Sequence, residues 1–92
     1  MDFNVFSYDS FFVIRSRNFF VLCGNIKSGT ISKNMKVMLM NRLYKIEDIG
    51  IADQVRERTN SKVCISFKYQ KDEELSELRT RFTGSGLIDC FW

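Results

Sequence analysis

Histidine is absent from the 92 residues. Imidazole acid–base catalysis and His-dependent triads are therefore excluded. The candidate nucleophiles or ligands are Cys23, Cys64 and Cys90, widely spaced and without a Cys-x-x-Cys pair. A zinc site would need all three thiolates and a carboxylate, an unusual donor set. They read instead as three reduced thiols, small hydrophobes in a cytoplasmic protein. Gly84-Ser85-Gly86 has the outline of a nucleophile turn but no base to serve it, and reads as loop. Glu47 and Asp48 are adjacent, so a strand would point them to opposite faces and they form no carboxylate pair. Asp72, Glu73, Glu74 and Glu77 read as the solvated face of a helix. No Gly-x-x-x-x-Gly-Lys-Ser/Thr phosphate loop is present. The expectation is a protein that is not an enzyme, with no cofactor, no bound nucleotide and no metal.

Binding chemistry remains. The net charge is +3, but it is uneven: seven basic residues face two acidic ones up to Lys45, and seven face nine from Ile46 onward. Arg15, Arg17, Lys27, Lys33, Lys36 and Arg42 are thus the candidate contacts to an anionic partner such as RNA. The competing reading is ordinary solvated lysine that keeps strand edges from pairing. A charge of only +3 favours that second reading.

These side chains need a scaffold, and the hydrophobic pattern supplies one. Ninety-two residues with 45% hydrophobic content and nine phenylalanines make one domain, 1–92, with a modest core. Residues 1–10 alternate loosely and form an N-terminal arm or a first strand. Period-two stretches follow at 11–17, 19–26, 36–40 and 43–51, joined by turns at Arg17-Asn18 and Asn41-Arg42. The stretch 19–26 is apolar on both faces, as suits a strand buried on two sides. Val37 and Leu39, then Tyr44 and Ile46, are expected inward. Residues 52–60 are polar around Val55 and suit a short edge strand. Residues 62–69 alternate cleanly, with Val63, Ile65, Phe67 and Tyr69 on one face. A short helix is predicted near 72–78, with Asp72 as N-cap and Leu75 and Leu78 on one face. The last strand covers 87–91.

Proline is absent, so glycine and asparagine must make the turns. Gly24, Gly29, Asn34, Asn60, Gly84 and Gly86 are the structural turn candidates. The stretch 24–37, GNIKSGTISKNMKV, reads as strand, reversal at Ser28-Gly29, a short extended piece, reversal at Lys33-Asn34, and new strand. The predicted class is all-β: a small closed or nearly closed antiparallel barrel of about six strands with one short helix.

The same stretch resembles the second-domain β-barrel of the translation GTPases, the elongation factor Tu family. That segment reads Gly-x-hydrophobic-x-x-Gly-x-hydrophobic-x-x-Gly-x-x-Val. Gly24, Ile26, Gly29, Ile31 and Val37 stand in those places, and Asn34 replaces the third glycine. The likeness runs over roughly residues 9–90, with 63–67 similar to the later core strand and 84–88 to the closing one. Asn60 again sits where a glycine is usual. The resemblance implies an accessory barrel that binds RNA or parts of the ribosome and translation machinery, here without the GTPase domain. Likeness of fold alone does not carry function. Two expectations stand: an RNA-binding or translation-associated module, or a module that binds another protein or itself. No membrane association is expected, because the longest apolar run, 19–23, is too short to span a bilayer. The first basic residue, Arg15, leaves no charged segment ahead of an apolar run.

Overall fold

The computed structural model describes residues 4–51 and 62–92, with Ile51 by its backbone only. Its strands are β1 (Asn4–Ile14), β2 (Phe19–Ser28), β3 (Lys36–Leu39), β4 (Arg42–Ile51), β5 (Val63–Lys68) and β6 (Gly86–Cys90), and its helix is α1 (Asp72–Arg81). All strand pairs are antiparallel, in the order β3-β4-β5-β2-β1-β6. Among the described residues, a single bridge between Lys36 and Phe91 brings the two outer strands together. The result is a nearly closed six-stranded barrel with one helix.

The first strand is longer than the alternation predicts. Residues 4–10 belong to β1 and pair with both β2 and β6, so they are strand and not a separate arm. A bulge between Tyr8 and Ser10 leaves Asp9 as the extra residue. It shifts the period, so Phe6 and Tyr8 point inward before it and Phe11 and Val13 after it. That phase change makes one strand read as two. At the other end, Arg15–Arg17 form a turn of 3-10 helix and not strand. Asn18 closes it with φ 58°.

β2 is buried on both faces from Phe20 to Cys23, as its composition predicts. Gly24 also lies inside β2, and Gly86 opens β6, so neither is the turn that spacing suggests. Gly29, Asn34 and Gly84 have φ of 73°, 77° and 83°, the left-handed geometry of reversals. The Asn60 turn and the 52–60 edge strand lie outside the described residues. The β3–β4 hairpin turns at Met40-Asn41, one residue earlier than expected. Leu39 pairs with Arg42 across it, and both turn residues have positive φ, 52° and 66°. Two left-handed residues match the twist of a hairpin.

The core joins inward residues from every strand. Phe20 stacks on Phe67 at 5.0 Å and meets Tyr44 edge-on at 5.3 Å. Val37, Leu39, Ile46 and Ile65 fill the spaces between them. The helix follows β5 and closes that end of the barrel with Leu75, Leu78 and Phe82. It runs ten residues, to Arg81. Its N-cap is the extended Lys71 and not Asp72.

The cysteines differ from expectation. Cys23 and Cys64 are direct cross-strand partners on β2 and β5, with Cα atoms 4.0 Å apart, and they form a disulfide. Register brings them together, and spacing in the sequence does not reveal it. Cys90 is a free, buried thiol. The reading of three reduced thiols is therefore corrected, and with it goes the support that those thiols gave to a cytoplasmic setting.

Candidate docking face

The six basic candidates do not share one face. Arg15 and Arg17 sit in the turn before β2, at the helix end of the barrel. Arg15 approaches Asp72 at 3.9 Å, and Arg17 lies 5.6 Å over the Phe19 ring. Arg42 starts β4 at the same end, 3.4 Å from Glu77 and 3.6 Å from Glu74. Lys27 lies eight residues along β2 from Phe19, about 26 Å away at ~3.3 Å per residue. Lys33 and Lys36 belong with that far end. There Asn4 Oδ1 accepts from the Thr30 N–H at 2.9 Å, and Phe91 pairs with Lys36. The set is thus split, and Arg15 and Arg42 already face carboxylates of α1.

A polar cluster at the helix end shows what carboxylate chemistry is present. Glu74 is 8% exposed, which corrects its reading as part of a solvated face. Its Oε1 accepts the backbone N–H groups of Gln70 and Lys71 at 2.7 and 2.8 Å. Its Oε2 accepts the Tyr44 hydroxyl at 2.6 Å. Burial alone would raise this carboxyl, but the bonds from Tyr44, Lys71 and Gln70 outweigh it and hold Glu74 below the usual carboxylate range. Burial, with the hydrogen bond to charged Glu74, pushes Tyr44 up to about 12. A cavity of about 410 Å³ adjoins the pair, lined by Arg42, Leu43, Gln70 and Lys71. Both carboxylate oxygens are taken and the phenol keeps its proton at neutral pH. Neither group is available as base or nucleophile. The cluster pins α1 to β4.

The open seam of the barrel is different. Beside the Lys36–Phe91 bridge the β3–β6 seam holds a cleft of about 340 Å³, lined by Met38, Leu39, Arg81, Leu87, Ile88 and Asp89, with Phe91 at the bridged end. Met38, Leu87 and Phe91 are 56%, 54% and 41% exposed, and Trp92, which follows Phe91 in the chain, is 69% exposed. Large apolar side chains thus cluster on the outer surface around this cleft. With Val37 and Leu39 inward, alternation puts Met38 on the outward side. A bulky hydrophobe at an outward strand position was the available signal, and its meaning depended on β6 being its neighbour.

Among the described residues, no group of three His, Cys, Asp or Glu side chains could hold a metal ion, and no helix is long and apolar enough to cross a membrane. No protein family, curated protein or solved structure matches the chain.

Proposed function

We propose that this chain is a non-catalytic protein-interaction module whose docking face is the outer surface of the β3–β6 seam. The observation that carries the reading is the grouping of exposed Met38, Leu87 and Phe91 around the cleft between β3 and β6, the two outer strands among the described residues. Clustered apolar surface beside a polar exterior is how docking sites differ from scattered exposed hydrophobes. The alternative, an RNA contact of the kind that the translation-barrel resemblance implies, draws on Lys27, Lys33 and Lys36 at the far end. It is weakened by the separation of those lysines from Arg15, Arg17 and Arg42.

The test compares what the parent chain and a Met38→Lys/Leu87→Lys variant retain from native extract, each with and without nuclease. Nuclease-insensitive retention that the variant loses is the expected result. Retention that nuclease abolishes, and that Lys27→Glu/Lys33→Glu/Lys36→Glu also abolishes, would overturn the proposal in favour of RNA.

A further inference from the structure

We infer that the partner of this face is an acidic amphipathic helix. It lies across β3, β4 and β5 with its carboxylates on a row of lysines and its apolar stripe on Met38 and Leu43. The inference rests on the interaction reading of the same face, and adds what the partner must carry.

Register builds the row. Lys36 and Lys45 are direct partners on β3 and β4. Ile46 pairs with Phe67, and both are buried in the core. The next step along that ladder sets Lys45 beside Lys68, and alternation turns both outward. Lys45 and Lys68 are exposed and Lys36 is half-buried. Lys68 in turn pairs with Phe19, whose ring lies under Arg17. Strand tilt carries the row from the bridged seam at Lys36 towards the helix end at Lys68. Like charges directly opposite one another destabilise a sheet. Among the described residues, no carboxylate lies within ion-pair distance of Lys36, Lys45 or Lys68. Glu47, two residues along β4 from Lys45, does not reach them, and neither does Asp89 on β6. The fold thus lines up three ammonium groups without an anion of its own to offset them.

The apolar residues run beside this row. Met38 pairs with Leu43, two residues along from Lys36 and Lys45, and both are exposed. At ~3.3 Å per residue the apolar pair stands about 7 Å from the cationic one. Leu87 extends it across the seam, lining one cleft with Met38. An occupant therefore needs carboxylates and apolar side chains in two parallel stripes. Across the strands the lysines repeat at ~4.8 Å. A helix repeats one face every ~5.4 Å, so successive turns meet successive lysines. A single-stranded nucleic acid would match the charge, but its bases would need aromatic platforms, and Met38, Leu43 and Leu87 are not aromatic. A second copy does not supply the stripes either. The acids Asp72, Glu73 and Glu77 of α1 are exposed, but its Leu75 and Leu78 are buried in its own barrel.

The probe is an end-blocked, dye-labelled, alanine-based helix of about 18 residues, long enough to fold alone. It carries a leucine stripe beside a glutamate stripe. It is titrated into the parent chain and followed by fluorescence anisotropy, with acylation of lysine amines as a footprint. Saturable binding is expected, weakened about tenfold when sodium chloride rises from about 50 to about 500 mM. The bound helix should protect Lys36, Lys45 and Lys68 from acylation and leave Lys27 and Lys33 reactive. Glutamine for glutamate in the probe should weaken binding at least tenfold. So should Lys36→Gln/Lys45→Gln/Lys68→Gln, or Met38→Ser/Leu43→Ser, in a chain that keeps its unfolding temperature. No binding at millimolar probe would overturn the acidic helix. So would a glutamine probe that binds as well as the glutamate one, or protection of Lys27 and Lys33 in place of the row. Tighter binding of single-stranded oligouridylate than of the probe, at equal charge, would assign the row to nucleic acid instead. If the acidic helix fails while the Met38→Lys/Leu87→Lys variant still loses nuclease-insensitive partners, the docking face stands and the acidic partner does not.

Discussion

Gly24 lies directly against the Ser7 carbonyl. A Cβ at position 24 would overlap that oxygen and come within 2.8 Å of the Tyr8 Cα. The crowding arises where the Asp9 bulge bends β1 onto β2, with Tyr8 opposite Gly24. Both obstacles are main chain, so no rotamer change relieves them.

Gly24→Ala should therefore lower stability by ~1–3 kcal/mol or more, the range for overpacking a closed site. Gly50 supplies the contrast. It is also in a strand, its φ is not positive, and a Cβ there would meet nothing within 4 Å. Gly50→Ala should be neutral or stabilising by ~0.4–1 kcal/mol, through the unfolded chain. Thermal unfolding of the two variants checks both. Equal losses would mean that the bulge does not press β1 onto Gly24.

The Glu74–Tyr44 pair predicts an acid limb in stability. The folded carboxyl is held below its unfolded value of about 4.3. Its contribution is full above that value and is lost as pH falls through the lower folded one. Glu74→Gln should cost ~1–3 kcal/mol at neutral pH, because two backbone donors and the Tyr44 hydroxyl lose a charged acceptor. The variant should also show a flatter decline below about pH 4.5. Tyr44, raised to about 12, has the opposite sign. Its contribution is full below about 10 and falls as pH rises from there. Tyr44→Phe should remove that alkaline fall, as chemical denaturation at stepped pH would show.

The Cys23–Cys64 bond closes a loop over a sequence separation of 41. By chain entropy its loss should cost about 4 kcal/mol. Unfolding in reductant should therefore fall well below unfolding without it, and Cys23→Ser/Cys64→Ser should match the reduced parent. Denatured without reductant, the chain should present one titratable thiol, Cys90. Burial, with Asp89 beside it, pushes that thiol up to about 11 in the fold, so it should resist alkylation until the chain unfolds. Three thiols in the denatured, unreduced chain would contradict the bonded pair.

Much of this architecture could be read from alternation. Val37, Leu39, Tyr44, Ile46, Ile65, Phe67 and Tyr69 all face inward where period two puts them. The helix could be read from Leu75 and Leu78 and the acids before them. What escaped depends on register. The bulge at Asp9 broke one strand into two apparent pieces. Glu74 looks solvated until β4 places Tyr44 above it. Cys23 and Cys64 meet only because β2 and β5 align them. The docking face escaped for the same reason. Met38 and Leu87 are far apart in sequence, and only near-closure of the sheet makes them neighbours. The basic residues show the converse: they are close in sequence, and the lengths of β2 and β3 carry them to opposite ends.

Gly29 ends β2 with φ 73°, and Asn34 begins the reversal into β3 with φ 77°. The two turns fix where Ile31 and Met35 enter the core, at 8% and 1% exposure. Asn34 N–H donates to the Ile46 carbonyl at 2.9 Å, and Ile46 N–H donates to the Met35 carbonyl at 2.8 Å. The second reversal is thus bonded to β4, and a slip at the first would be transmitted to it. At position 29 a β-branched side chain would meet the left-handed backbone at a cost of ~1–3 kcal/mol. That is a large share of the ~5–15 kcal/mol that holds a small domain. Gly29→Val should therefore lower the unfolding midpoint clearly, and Gly29→Asn should lower it less, because asparagine tolerates this region. Asn34→Gly should be neutral or slightly stabilising, since its backbone bond to Ile46 is kept and the left-handed strain is relieved. Thermal unfolding of the three variants beside the parent decides it. If Val and Asn at position 29 both match the parent, the left-handed conformation there is not what sets the register of β3.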